Sequence, residues 1–259
     1  MIHAALLDRA LEPAWLDLAL ELAREGKPDA RERLELALRD RIPASESRKK
    51  TVRTLWRTWL EPPEPAREMI DWARARSPEI VDSRPLHVGA LIATHPFFAD
   101  VCAGLGREIA LNGTIRVVAA RQRLRDRWAD RQSIDVAVRA AVRTLRSFGT
   151  LAAGPRGRTA VLVQKLAVPS QLVGWLAHGL LLARGASEVD LGAVETAPEF
   201  FMLAIGKADF GAYPPAELAR EGGGRTVLRI EMPRLSPGKP EQLTLATPGA
   251  IAVRRTTAV

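Results

Sequence analysis

Cysteine is almost missing from this chain: Cys102 is the only one in 259 residues. An internal disulfide framework is therefore excluded, and a reducing cytoplasm is the expected setting. Cys102 lies in an apolar helical pattern and reads as a small buried hydrophobe, not a nucleophile. Histidine is scarce as well, and His3, His87, His95 and His178 are too far apart to suggest a metal site. No stretch reaches the roughly 18 uninterrupted apolar residues of a membrane span. The most apolar segment, from Leu172 to Ala183, has His178 in its middle. The opening MIHAALLDRALE carries an early acid and no basic leader, so no signal peptide is expected. Phosphate loops, dinucleotide fingerprints, nucleophile elbows and HExxH are all missing. Glu188, Asp190 and Glu195 with Lys207 match no metal-nuclease spacing and read as a solvated acidic loop. The expectation is a protein that is not an enzyme and carries no cofactor or metal.

What is present is ordinary globular material, 47% hydrophobic and 26% charged, with a net charge of +8. Only six of the cations are lysine and 32 are arginine, a skew that codon usage alone can produce. Their placement says more. Residues 115–160 hold eleven arginines (116, 121, 123, 125, 127, 131, 139, 143, 146, 156 and 158) against Asp126, Asp130 and Asp135. That segment nets +8, the whole formal excess of the chain, and a localised basic field attracts polyanions.

Residues 1–62 read as a helical module. Leu6, Leu7, Ala10 and Leu11 open one amphipathic pattern, and Pro13 starts a helix that ends near Gly26. Another helix is expected from Asp29 to about Arg41. A further one follows Ser45 or Ser47, with Val52, Leu55, Trp56 and Trp59 on one stripe. Trp56, Trp59 and Trp128 lie on such stripes and read as core, not as stacking platforms for bases. The basic face of Arg48, Lys49, Lys50, Arg53 and Arg57 reads either as an extension of a nucleic-acid surface or as a solvated helix face.

Glu61-Pro62-Pro63-Glu64-Pro65 breaks the chain, and residues 63–85 serve as a Pro-rich connector with a short helix near Met69 to Ala75. Residues 86–166 form a compact central unit. Residues 167–259 form a small α+β module with a helix from Ser170 to Arg184 and a second helix from Ala212 to Glu221. Strands are expected there at Thr226 to Met232, Leu243 to Ala246 and Ile251 to Val253. No internal repeat of fixed period is visible in the sequence.

The central unit has an informative order of elements. A helix from Phe97 to Leu111 stops at Asn112-Gly113, and a β-branched run follows from Thr114 to Val117. Next come a helix from about Val118 to Trp128, a polar turn at 129–132 and a helix capped by Ser133 that runs to Phe148. Ile134, Val138, Ala141, Leu145 and Phe148 give that helix a core-facing stripe, while Arg139, Arg143 and Arg146 share another face. Leu151 to Ala153 and Thr159 to Val163 are paired strands around the basic turn Gly154 to Arg158.

This order resembles the winged helix-turn-helix DNA-binding proteins, although the turn lacks the glycine common in that family. The resemblance implies that the helix from Ser133 to Phe148 enters the major groove and that Pro155 to Arg158 form the wing tip. Arg131, Gln132 and Ser133 become candidates for base edges, with Asp135 beside them. Arg139, Arg143 and Arg146 become candidates for bases or phosphates further along, and Arg156 and Arg158 for the flanking backbone.

The helical module ahead of a basic helix-turn-helix is also similar to accessory DNA-binding proteins of BREX-type phage-defence systems. That likeness implies protein partners in an antiviral assembly. The expected fold is mainly α: an N-terminal helical module, a central winged helix-turn-helix and a small α+β C-terminal module. The expected function is binding of double-stranded DNA without catalysis and without a membrane. Two alternatives stand beside it, a transcriptional regulator whose C-terminal module dimerises or senses a ligand, and a winged-helix adaptor that binds protein. The oligomeric state is left open.

Overall fold

A computed structural model of the chain describes residues 7, 9–128, 132–154, 159–222 and 225–231. The described residues are mainly helical, with ten α-helices and a smaller sheet component. The N-terminal part holds α1 (Pro13–Glu25), α2 (Ala30–Ala37), α3 (Ser45–Leu55) and α4 (Arg67–Arg76). A π-helical turn, Trp56–Leu60, extends α3, and the Arg74 guanidinium closes it by donating to the Trp59 and Leu60 carbonyls. Two apolar helices follow, α5 (Arg84–Thr94) and α6 (Pro96–Asn112), bent by 114° at His95. No single helix among the described residues is long and apolar enough to cross a membrane.

Beyond α6 the chain forms β1 (Ile115–Arg116), α7 (Val117–Trp128), α8 (Gln132–Ser147), β2 (Leu151–Ala153) and β3 (Thr159–Leu162). These three strands make an antiparallel sheet in the order β1-β3-β2, with Ile115 opposite Ala160 and Leu151 opposite Leu162. The C-terminal part contains β4 (Leu166–Ala167), α9 (Val173–Arg184), β5 (Glu188–Asp190), α10 (Leu191–Glu195), β6 (Leu203–Ala204), β7 (Ala216–Arg220) and β8 (Thr226–Ile230). Strands β4 and β6 pair in parallel, and the other three form an antiparallel sheet in the order β5-β8-β7. Helices α6 and α9 each end on a glycine in the left-handed region, Gly113 at φ 67° and Gly185 at φ 63°. Only glycine takes that conformation without strain, so each helix stops where its strand must begin.

One continuous core runs from Leu7 to Ile230 and joins the helical part, the central unit and the C-terminal part. Two close approaches hold these parts together. A methyl group on Gly89 of α5 would overlap the Trp175 ring of α9, and one on Gly106 of α6 would overlap the Pro198 carbonyl. Trp175 also donates its indole N–H to the Met69 carbonyl at 2.7 Å. Arg184 pairs with the buried Glu199 at 2.7 Å.

Three histidines are sealed in this core. His87 donates to Asp17 at 2.9 Å, His95 meets the Thr58 hydroxyl at 3.0 Å, and His178 Nδ1 meets the Tyr213 hydroxyl at 2.5 Å. Burial disfavours their charged forms, lowering His95 to about 3 and His178 to about 4. His87 is lowered by the same burial, with Asp17 acting the other way. Cys102 is buried as expected, and burial pushes its thiol well above the usual range.

Several elements depart from the sequence reading. Leu7 and residues 9–12 are not helical. Leu11 instead gives its N–H to the Thr144 hydroxyl at 2.9 Å and its carbonyl accepts from the Ser147 hydroxyl at 2.7 Å, both on α8. These long-range bonds replace the helical ones. The helix expected to Arg41 stops at Ala37. Residues 216–220 form β7, not a helix, because all five pair with β8. Trp59 is fully buried, whereas Trp56 and Trp128 are half-buried with their indole N–H groups bonded to Glu61 and Asp100. The strands expected at 243–246 and 251–253 lie outside the described residues.

Candidate nucleic-acid interface

Helix α8 is held by its apolar stripe: Ile134, Val138, Ala141, Leu145 and Phe148 are all buried. Ala137, Ala140 and Thr144 are buried too, the last under the Leu11 backbone. The residues left exposed are Ser133, Val136, Arg139, Arg143 and Ser147, the last with its hydroxyl bonded to the Leu11 carbonyl. Helix α8 begins at Gln132, so Ser133 sits in the first turn and not at the cap position.

The sequence-derived candidates divide into three groups. Ser133 and Arg143 are exposed, and Arg143 has no ion pair or hydrogen bond among the described residues. Arg139 is exposed and folds back along its own helix, donating from Nε to the Asp135 carbonyl at 3.1 Å. Arg146 is half-buried, and its Nε is enclosed without an acceptor among the described residues. Gln132 is placed by its backbone alone. Arg131, Arg156 and Arg158 lie outside the described residues.

The rest of the basic segment is organised by two carboxylates. Glu108 on α6 is fully buried and accepts from Arg123 at 2.8 Å, Arg116 at 3.2 Å and Asn112 at 3.3 Å. Asp135, in the first turn of α8, accepts from Arg125 at 2.9 Å and Arg121 at 3.3 Å. Asp135 thus ties α7 to α8, a use that its favourable position at a helix N-terminus did not reveal. Each acid faces two guanidinium groups, so each cluster keeps one net positive charge. The Arg116 and Arg123 side chains remain 59% and 47% exposed, which leaves part of that charge at the surface.

Sequence reasoning missed Glu108 because it lies seven residues before the segment over which charge was counted. Its signal was a lone acid in the apolar run Leu105-Gly106-Arg107-Glu108-Ile109. Few acids are buried without a cationic partner.

The other basic face is mostly absorbed by local contacts. Arg48 donates to the Ile42 and Pro43 carbonyls, Lys49 pairs with Glu46, and Arg57 donates to the Thr94 carbonyl. The acidic residues of the C-terminal part have structural partners as well. Asp190 caps α10 through the Gly192 N–H and binds Arg225, and Glu188 binds Arg229.

Compared with known proteins, the chain matches no family model, and no curated protein or solved structure is detectably similar to it.

Proposed function

We propose that the unit from α6 to β3 is a winged helix-turn-helix that binds double-stranded DNA, with α8 as the helix that enters the major groove. The order helix, strand, helix, helix, strand, strand supports this reading, as does the arrangement β1-β3-β2 in the sheet. The observation that carries it is the exposed line of Ser133, Val136, Arg139 and Arg143 along a helix whose opposite side is fully packed. A helix of about 10–12 Å diameter fits the groove, and its exposed side chains meet base edges and phosphates. The two arginine clusters of the same unit keep residual positive charge, suited to the phosphate backbone.

The role is one of binding, in the cytoplasm, without a bound cofactor. Fluorescence anisotropy on a labelled duplex at two salt concentrations tests it. Affinity should fall steeply as salt rises, since each neutralised phosphate releases counterions. Replacing Arg139 and Arg143 together by Ala should weaken binding at least about tenfold and lower the salt slope by about two, with thermal stability unchanged. Unaltered affinity in that variant would remove α8 from the interface.

A further inference from the structure

We infer that Arg9 belongs to the duplex-binding surface. The segment from Leu7 to Leu11 delivers it to the C-terminal half of α8, where it grips a backbone phosphate. The inference rests on the DNA-binding reading above and adds to it a contact from outside the helix-turn-helix unit.

The seat of this segment is fixed by two hydrogen bonds. The Leu11 N–H reaches Thr144 and the Leu11 carbonyl takes the Ser147 hydroxyl, so the chain runs in the same direction as α8. Residues before Leu11 therefore lead back along the helix toward Ala140. Successive helical residues turn by about 100°, which places Ala140 within about 40° of the exposed Val136 and Ser147. Ala140 is nevertheless fully buried. A chain segment laid beside the exposed side of α8 accounts for that cover.

Arg9 sits on this segment at the point where the chain bends. Leu7 and Leu11 on either side are fully buried, whereas Arg9 stays partly exposed. Two residues span at most about 7 Å, so the Arg9 backbone lies no further than that from the seat of Leu11 on α8. The Arg9 side chain makes no ion pair or hydrogen bond among the described residues, and its Nε is enclosed without an acceptor. Arg146, next to Ser147, is in the same condition, and Arg143, next to Thr144, is exposed and unpaired among the described residues. Glu12, the acid beside Leu11 in sequence, is exposed and joins no ion pair among the described residues. Three arginines thus flank the seat of Leu11 without a carboxylate bound to any of them. An enclosed donor without an acceptor is costly, and a phosphate removes that cost by accepting from Nε and a terminal nitrogen together.

The test measures binding of the full chain to a labelled random-sequence duplex by fluorescence anisotropy across a salt series. Arg9→Ala should weaken binding about three- to tenfold, lower the salt slope by about one and leave the melting temperature unchanged. Arg9→Lys keeps the charge and should keep the slope. Arg24→Ala removes an equal charge at an exposed position about 16 Å further along α1, beyond a Debye length, and should leave affinity and slope unchanged. Unaltered binding in Arg9→Ala, while the double variant of Arg139 and Arg143 is weakened, would overturn the inference and leave DNA binding standing. A loss in Arg9→Ala with the slope unchanged would do the same, since it marks a residue that only supports the fold. So would an equal loss in Arg24→Ala. If the parent chain binds no duplex at about 50 mM salt, the DNA reading itself fails and takes the inference with it.

Discussion

At the scale of single residues, charge is arranged by sharing. Glu108 is fully buried and holds Arg123 of α7 and Arg116 of β1 at once, so one carboxylate fixes two elements to α6. Glu108→Gln keeps the shape and removes the charge, leaving two guanidinium groups to repel each other. The variant should lose about 1–3 kcal/mol, the range for buried hydrogen bonds to charged groups, seen as a lower denaturant midpoint. On the proposed DNA-binding role, its affinity for a duplex should become more salt-dependent, because the cluster gains a net positive charge. An unchanged midpoint would mean that packing alone seats α7. A linear charge count cannot reveal such an acid, since the partners meet only once α6 and α7 are packed.

At the scale of elements, α8 was the most legible part of the sequence. Its stripe from Ile134 to Phe148 is long enough for helical periodicity to stand out, and every member is buried. Leu145→Ala should cost about 2–5 kcal/mol in equilibrium unfolding, and a negligible loss would contradict this packing. Short elements were read poorly because their form is decided by distant partners. Ala216–Arg220 carries residues that suit a helix, yet pairing with Thr226–Ile230 makes it a strand. Leu7 to Leu11 looked amphipathic, yet hydroxyl groups on α8 take the Leu11 backbone.

Helix junctions depend on glycine for a reason that sequence pattern hides. Gly106→Ala gains about 0.5–1 kcal/mol of intrinsic helix preference. That gain is outweighed by about 1–3 kcal/mol of overpacking against the Pro198 backbone. The expected result is a lower melting temperature. A rise would show that the turn at 198–200 shifts freely from α6.

At the scale of the whole molecule, the sealed histidines set an acid limit. Their folded pKa values lie below the ordinary 6.5, near 3 for His95 and near 4 for His178. Unfolded chains therefore bind protons that the native state refuses, and stability falls as pH drops below about 6.5 toward those values. The salt-bridged Glu25 is lowered from 4.5 to about 2 and Asp17 lies below 3.8, so the stability these carboxylates add is present above those ordinary values and is lost only below this window. Melting temperature should thus decline between pH 6.5 and 4.5, and His95→Asn should flatten that decline. A flat wild-type profile over this window would mean that the histidines reach solvent in the native state.

The Leu11–Ser147 clasp spans 136 residues of chain. A ribosome adding about 5–20 residues per second needs on the order of ten seconds between making one end and the other. During that interval the Leu11 backbone lacks the two α8 hydroxyl groups that it meets in the folded chain. The segment around Leu11 therefore settles only after α8 has been made, long after its own synthesis.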